Sequence, residues 1–389
     1  MMKAYLDNGN TTPVDKRVLE VMEPYFTEEY GHPLFIYSRG RKANEAVERA
    51  SESISSTLGA RGNELTFTSG ATESIDLALR GAAKARRENG KHIITSEIEN
   101  PSVLRVCEKL DENGFEVDYL NVDKEGLIDL EQLKSLIKNE TILVSIGHVN
   151  DEIGTIEPIK KIGEIILDEN PDAYFHTNAA ASYGRVPIDI DEANVDLVSL
   201  SAHKIHGPPG VGALVAKEGT EIDPVNYGYQ SLSDLRPGTE NVPGIVGFEK
   251  AAELSFQDFD SKIKEMREIR DKLIQGIENK ISEVILHGPR DENRSPANVN
   301  FSFKHIEGES ILMHLDLQGI SVATGSACAT RKLEPSHVLT AIGLDPVIAH
   351  GAIRFTLSRM NTTEEIEYTL EVLPKVVENL RKMSPMSKR

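Results

Sequence analysis

Three short segments hold residues whose types and spacing could do chemistry. In Ser201-Ala202-His203-Lys204-Ile205-His206-Gly207-Pro208-Pro209-Gly210 a lysine stands directly after an apolar run and before a Gly/Pro turn. That place suits a Schiff-base lysine, whose amine must be held against a carbonyl. It also suits a lysine at a strand end that only reaches water. In Thr68-Ser69-Gly70-Ala71-Thr72-Glu73-Ser74, small residues open a helix. Free N–H groups and the positive end of the helix dipole can receive a phosphate there, although an ordinary cap has the same look. In Thr324-Gly325-Ser326-Ala327-Cys328-Ala329-Thr330 a thiol lies among small residues, the setting of a nucleophile rather than of a packed side chain. Cys107, between Val106 and the helical run through Leu110, reads as core filler.

The elements that must position these residues follow from periodicity. Short β-branched runs at Glu64–Thr68, His92–Ser96, Glu116–Val122, Thr141–Ile146, Ala173–Thr177, Leu197–Leu200 and Gly212–Ala216 predict strands. Thr-Ile-Leu-Val-Ser-Ile at 141–146 is apolar on both faces, as in a central parallel strand covered on two sides. Helical patterns lie between, from Gly70 to a stop at Gly90 and over 101–113, 129–138 and 157–169. This alternation predicts a doubly wound α/β layer. Near residue 255 the pattern changes. Phe259, Ile263, Met266, Ile269, Leu273 and Ile277 predict a long amphipathic helix, followed by strands at Val284–Leu286 and Asn298–Phe303. A closing helix carries Ile366, Leu370, Leu373, Val377 and Leu380, with Pro374 expected to interrupt or kink it. The expected division is a large α/β domain over 14–255 and a smaller α+β domain from 1–13 and 256–389 that carries the cysteine segment.

Composition narrows the function. The 62 acidic against 43 basic residues leave a net charge of −19, which disfavours nucleic acid or anionic lipid as the main partner. No apolar run approaches membrane-spanning length, and with Lys3 and Asp7 before any long apolar run no secretory signal is expected. Two cysteines make no disulfide framework, so a reducing, cytoplasmic setting is expected.

The three segments, together with Tyr5-Leu6-Asp7-Asn8, Thr11-Thr12-Pro13-Val14, Lys91-His92-Ile93-Ile94-Thr95-Ser96 and His148-Val149-Asn150-Asp151-Glu152-Ile153-Gly154, occur in an order that resembles the cysteine desulfurases of the NifS/IscS type. These are pyridoxal 5'-phosphate (PLP) enzymes of the class V aminotransferase group. The resemblance runs from about residue 4 to residue 385. It implies the fold-type-I architecture of PLP-dependent transferases, with a mostly parallel sheet in the large domain. It also implies a homodimer, L-cysteine as substrate, and a persulfide passed to an acceptor such as a cluster scaffold or a thiolation system. Lys204 would hold PLP as a Schiff base. Ala71, Thr72, Ser201 and His203 would hold its phosphate, with His203 also catalytic, and Thr239 would reach the phosphate of the partner subunit. Cys328 would take the sulfur, while Arg354 and Asn150 would bind the substrate. No resident metal is expected, and Cys328 is the one candidate ligand for a transient cluster.

Four ring contacts depart from the family pattern. Asn100 stands where the family stacks a histidine, Asp151 where it has asparagine, Asn178 where an aspartate faces the pyridine nitrogen, and Ala181 where it has glutamine. The segments His32-Pro33-Leu34-Phe35-Ile36-Tyr37 and Tyr227-Gly228-Tyr229-Gln230-Ser231 also differ. An amide at 178 weakens the ring's pull on electrons, and a carboxyl at 151 would share a proton with a phenolic oxygen. Three readings follow: a cysteine desulfurase with an unusual ring environment, a PLP enzyme of the same fold with another amino-acid reaction, and a catalytically silent scaffold.

Overall fold

The structure is a computed structural model that describes residues 2–229, 232–325 and 335–385. Its strands in chain order are β1 (Ala4–Tyr5), β2 (Leu65–Thr68), β3 (His92–Ser96), β4 (Glu116–Leu120), β5 (Thr141–Ser145), β6 (Tyr174–Asn178), β7 (Leu197–Ser201), β8 (Gly212–Ala216), β9 (Val284–Leu286), β10 (Asn298–Phe303), β11 (Ile320–Ser321), β12 (Ala323–Thr324) and β13 (Ala352–Thr356). Strands β2 to β8 form one seven-stranded sheet in the order β2-β8-β7-β6-β5-β3-β4. Only β8 runs against its neighbours; the pairs among β3 to β7 are parallel.

Doubly apolar strand sequences arise because successive side chains leave opposite faces of the sheet. Ile94, Val144, Phe175 and Val198 enter one core, which also receives the helices Ser38–Ser56, Ile159–Glu169 and Val242–Phe256. Their chain neighbours Ile93, Leu143, Tyr174 and Leu197 enter a second core under the helices Ala71–Ala85 and Pro101–Glu112. The expected α/β class and mostly parallel sheet are therefore present. The helices at 38–56 and 242–256 had no counterpart among the elements expected from periodicity. The first is rich in small and polar residues, and it buries a stripe of Ala43, Ala46, Val47, Ala50 and Ile54.

The C-terminal part builds an antiparallel sheet in the order β12-β13-β10-β9, and β1 pairs in parallel with β11. Its core joins Leu6 to Leu273, Phe301, Phe303, Phe355 and Leu373. The long helix Phe259–Lys280 packs there against Thr363–Met383, whose first turn is closed by a Thr362/Glu365 capping box. That closing helix runs through Pro374 without interruption. Apolar side chains on both sides of the proline, from Ile366 to Leu380, are buried on the same core. Tertiary packing of this kind offsets the roughly 3 kcal/mol that an interior proline costs.

Candidate active site

The carboxyl ends of the parallel strands open into a cavity of about 470 Å³. Ser69 and Gly70 line it after β2, Ser96 at the end of β3, Gly147 after β5, Asn178 at the end of β6, and His203 and Lys204 after β7. Ligands of open α/β sheets bind at this edge, where loops and helix N-termini converge. By contrast His92, Glu116 and Asp118, whose ligand-type atoms lie within 4.8 Å of one another, cluster toward the opposite ends of their strands; Lys138 already pairs with Glu116 there.

At one side of the cavity the helix Ala71–Ala85 begins. Gly70, at φ 151 and ψ 177, holds a backbone conformation reserved for glycine and turns the chain from β2 into the helix. A side chain at position 70 would approach Ser201 Oγ, at 3.8 Å. Ser201 Oγ lies 2.7 Å from His203 Nδ1. Thr72 Oγ1 lies 3.3 Å from Ser102 Oγ. Hydroxyls, an imidazole and free helix N–H groups thus converge, which is the donor set an oxyanion needs.

Lys204 ends the short turn Ala202–Lys204 that follows β7. Its Nζ donates to the Gly9 carbonyl of the N-terminal segment. Burial pushes the amine down to about 8; the Asp151 carboxyl opposes that shift, and the Arg354 and Arg185 guanidinium groups add to it. Burial and the charge on Lys204 also lower the His203 imidazole from its ordinary value. Arg185 Nη2 donates to the Lys204 carbonyl at 2.7 Å, and Thr12 clips the His203 carbonyl through both its N–H, at 3.0 Å, and its hydroxyl, at 2.9 Å.

The departing ring positions all line the cavity. Asn100 Oδ1 caps the helix Pro101–Glu112 through the Ser102 N–H at 2.9 Å, and its Nδ2 donates to Asp151 Oδ2 at 3.0 Å. The two substitutions are therefore bonded to each other. Asn178 Oδ1 accepts the Ala180 N–H at 3.1 Å, which leaves its Nδ2 as the group to offer a ligand. Ala181 contributes only its methyl and backbone, and its carbonyl accepts from Arg185 at 3.3 Å.

Other expected residues fall less simply. Asn150 lines the cavity, yet its amide is already engaged: Oδ1 accepts from Glu152 and Ile153 in its own turn, and Nδ2 donates to the Ile98 carbonyl of the neighbouring loop. It positions the Asp151 loop and has little left for a substrate. Arg354, on β13, stands behind the cavity wall. Its Nη1 donates to the Asp151 carbonyl at 3.1 Å and its Nη2 to Asn10 Oδ1 at 2.8 Å, while the buried Nε has no hydrogen-bond partner. Ser201 contributes through His203 and does not line the cavity. Thr239 is outside it, with Oγ1 3.5 Å from His32 Nε2. Cys328 lies outside the described residues.

Periodicity and motif gave no role to Asn10, Glu99 or Glu157, which line the cavity, or to Arg185. Glu99 and Glu157 are buried and held up near 7 and 8 by loss of solvent. Their neighbours, Glu97-Ile98-Glu99-Asn100 and Thr155-Ile156-Glu157-Pro158, carry no signal that marks a buried carboxyl.

With the geometry in place, similarity to known proteins can be stated. Residues 4–369 match the model of the aminotransferase class-V family. The chain is 49% identical over 383 residues to the cysteine desulfurase IscS of Dictyoglomus turgidum, covering 98% of this chain and 96% of that protein. It is 48% identical to the IscS of Methanosarcina thermophila, over 98% and 94% of the two chains. Among solved structures a NifS-like protein superposes with a TM-score of 0.92 at 37% identity, covering 97% of this chain and all of that one. A cradle for an oxyanion facing a buried lysine, on a fold and sequence shared at this level from end to end, leaves one assignment: the chain belongs to the class-V aminotransferases, in their cysteine desulfurase branch.

Proposed function

We propose that this protein is a PLP-dependent cysteine desulfurase. It takes sulfur from L-cysteine, releases L-alanine and stores the sulfur as a persulfide on Cys328. The observation that carries the reading is Lys204, a buried amine that lines the same cavity as an anion cradle. The residues present fit PLP: the helix N-terminus after Gly70, with Thr72, Ser201 and His203, suits its phosphate, and Lys204 suits its aldehyde. Bound there, PLP supplies a ring that draws electrons from the substrate's α-carbon.

The chain's own groups would do the rest. An amine near 8 is partly neutral at physiological pH, so Lys204 would be able to bond to the PLP aldehyde and, when free, to take and return a proton at the substrate's α-carbon. Arg354, which the family resemblance gives to the substrate carboxylate, stands behind the cavity wall with its terminal nitrogens on the Asp151 carbonyl and Asn10, and would exchange those bonds for the carboxylate. Cys328 Sγ would form the new S–S bond as the substrate's Cβ–S bond breaks. The electron pair left on that carbon takes a proton, and alanine results.

Several finer points belong to the same proposal. Phe35, Ile36, Tyr37, Tyr227 and Tyr229 are exposed aromatic or aliphatic residues, and a second copy of the chain is the partner they suit. Thr239 would then serve the neighbouring subunit's phosphate site. The division into domains at 255/256 rests on the separate cores. No helix among the described residues is long and apolar enough to cross a membrane, and we assign the protein to the cytoplasm on its cysteine content. The sulfur would pass to an acceptor protein for cluster assembly or thiolation.

The test is incubation with L-cysteine and PLP, followed by alanine assay and peptide mass. A gain of one sulfur on the Cys328 peptide, lost in Cys328→Ser together with turnover, supports the reading. Turnover at the wild-type rate in Cys328→Ser overturns it. A second reading, another reaction on an amino acid at the same cofactor, draws support from the Asn100–Asp151 pair, which replaces a ring-stacking imidazole by two groups bonded to each other. A cofactor spectrum that responds to other amino acids, with no alanine from L-cysteine, would favour it.

A further inference from the structure

A second, smaller cavity touches the Lys204 turn. It measures about 20 Å³ and is lined by Arg185, His206, Lys262 and Arg359, none of which lines the larger one; Lys204 is common to both. Space of roughly 10–15 Å³ of this kind takes one particle the size of water. The four residues come from the turn after β6, the segment after β7, the helix Phe259–Lys280 and the segment after β13. Ile205 and Met266, which also line the cavity, belong to the two separate cores. It therefore lies where the two halves of the molecule meet.

Such a lining is unusual in a chain of net charge −19. No aspartate or glutamate among the described residues contributes to it. Arg185 donates to the Ala181 and Lys204 carbonyls, and Lys262 to those of Leu254 and Gln257. Arg359 reaches one carboxylate, Asp15, at 2.8 Å, and Arg17 shares it. The positive charges act on one another. Burial lowers the Lys262 amine, and the Arg359 and Arg17 charges add to that against Asp258 and Glu265. Burial holds the His206 imidazole down to about 4; the Pro13 carbonyl and Asp15 oppose the shift, and Arg359 and Arg185 add to it.

Two buried nitrogens complete the pattern. Arg359 Nε and His206 Nε2 have no hydrogen-bond partner among the described residues, and His206 is 2% exposed. His206 Nδ1 lies 2.9 Å from the Pro13 carbonyl, which only an N–H can satisfy. Nε2 is therefore the ring nitrogen left for the cavity, and it becomes a donor when the ring takes a second proton. An unpaired donor and like charges buried together are costly, and a small anion among them would offset both costs.

We propose that this cavity is a binding site for one monatomic anion of chloride size, held by Arg359, Lys262 and Arg185 and joined by His206 when that ring is protonated. The site is separate from the phosphate cradle and independent of what Lys204 holds.

The test uses the full-length, PLP-loaded protein, in which the cradle is filled, with chloride and bromide as probes. Crystals grown in sodium bromide show an anomalous-scattering peak in the cavity, within hydrogen-bonding reach of Arg359 Nε. In solution the chloride-35 magnetic-resonance line broadens on adding protein, and bromide reverses the broadening. Lys262 is half-buried, so the fold accepts Lys262→Met. Chloride affinity falls about tenfold in that variant, the loss expected for one hydrogen bond to a charged group. Lys262→Arg stays within threefold of wild type. Wild-type affinity rises at least twofold from pH 8 to pH 5.5, and His206→Asn, which suits the left-handed backbone at φ 68, shows no such rise. Bromide-grown crystals with no anomalous peak in the cavity overturn the proposal, and so does a Lys262→Met protein of wild-type affinity. An affinity that ignores pH overturns the part given to His206. A protein that takes up no PLP overturns the reading of Lys204 instead, and the peak beside Arg359 still decides the anion site, because an anion in the cradle occupies another position in the map.

Discussion

An amine with no water around it loses its proton more readily than one in solution, and Lys204 is placed accordingly, between the Gly9 carbonyl and the cavity. If that amine holds PLP, borohydride fixes the cofactor to the Lys204 peptide. Lys204→Ala then gives no such adduct while its far-UV circular dichroism is unchanged; an adduct retained in the variant sinks the assignment. The departures at 178 and 100 predict rates. An amide at 178 offers a hydrogen bond and no charge to a pyridine nitrogen, so L-cysteine turnover is expected to be slow and faster in Asn178→Asp. Asn100→His adds an acid–base group, a gain of about a hundredfold at most. The histidine also removes the cap that Asn100 gives to Ser102, which costs about 1 kcal/mol of stability and is visible as a lower Tm. Unchanged or lower turnover in both variants and in the double variant means that the pocket is built for another substrate.

The N-terminal segment is the element on which the site depends most. Strand β1 pairs with β11 in the C-terminal part, and the residues after it cross to the large sheet, where Thr12 binds His203 and Gly9 accepts from Lys204. Asn10 spans the gap by accepting from Arg354, which also reaches Asp151. Removing that acceptor in Asn10→Ala leaves a guanidinium nitrogen without its partner and lets Arg354 swing. A hydrogen bond to a charged group contributes about 1.5–3 kcal/mol. The expected result is a KM for L-cysteine roughly tenfold higher with kcat changed less than threefold. A fall in kcat at constant KM would instead tie Asn10 to the chemical step.

For the molecule as a whole, buried titratable groups set how stability depends on pH. Burial raises Glu99 and Glu152 to about 7 and Glu157 to about 8. Their folded values lie above those of free glutamate, so their contribution is fully present below about 4.5 and is lost as pH rises through 7 and 8. Burial lowers His148 and His206 to about 4, and His287 to about 4, with the Arg294 charge adding to the last. Their contribution is present above about 6.5 and is lost as pH falls through 4. Between about 4.5 and 6.5 the two sets oppose each other, and above about 6.5 only the glutamate loss remains, so stability should fall from about pH 6.5 to 8, each group adding at most about 1.4 kcal/mol per pH unit. Thermal unfolding from pH 5 to 9 checks this, and Glu157→Gln should flatten the alkaline limb. A Tm that is level from pH 7 to 9 would falsify the account.

Much of this was legible along the chain, and for local reasons. Seven strands of the large sheet and the helices between them follow from runs of β-branched residues and from three- and four-residue spacing, which act over a few neighbours. Lys204 and the Gly70 turn stand in contiguous motifs, so their roles could be read from adjacent residues. The helices at 38–56 and 242–256 escaped because alanine, glycine and serine give weak periodicity until a packing partner selects a face. At Pro374 the helix is not interrupted, because burial on both sides holds together what local chemistry disfavours. Asn10 beside Arg354, Asn100 bonded to Asp151, and Glu152 bonded to Ser336 join residues tens to hundreds of positions apart. Sequence by itself determined the strands, the lysine and the cradle; which carboxyls were left without water, and which distant side chains they touch, was decided only when the two cores and the N-terminal segment closed around one cavity.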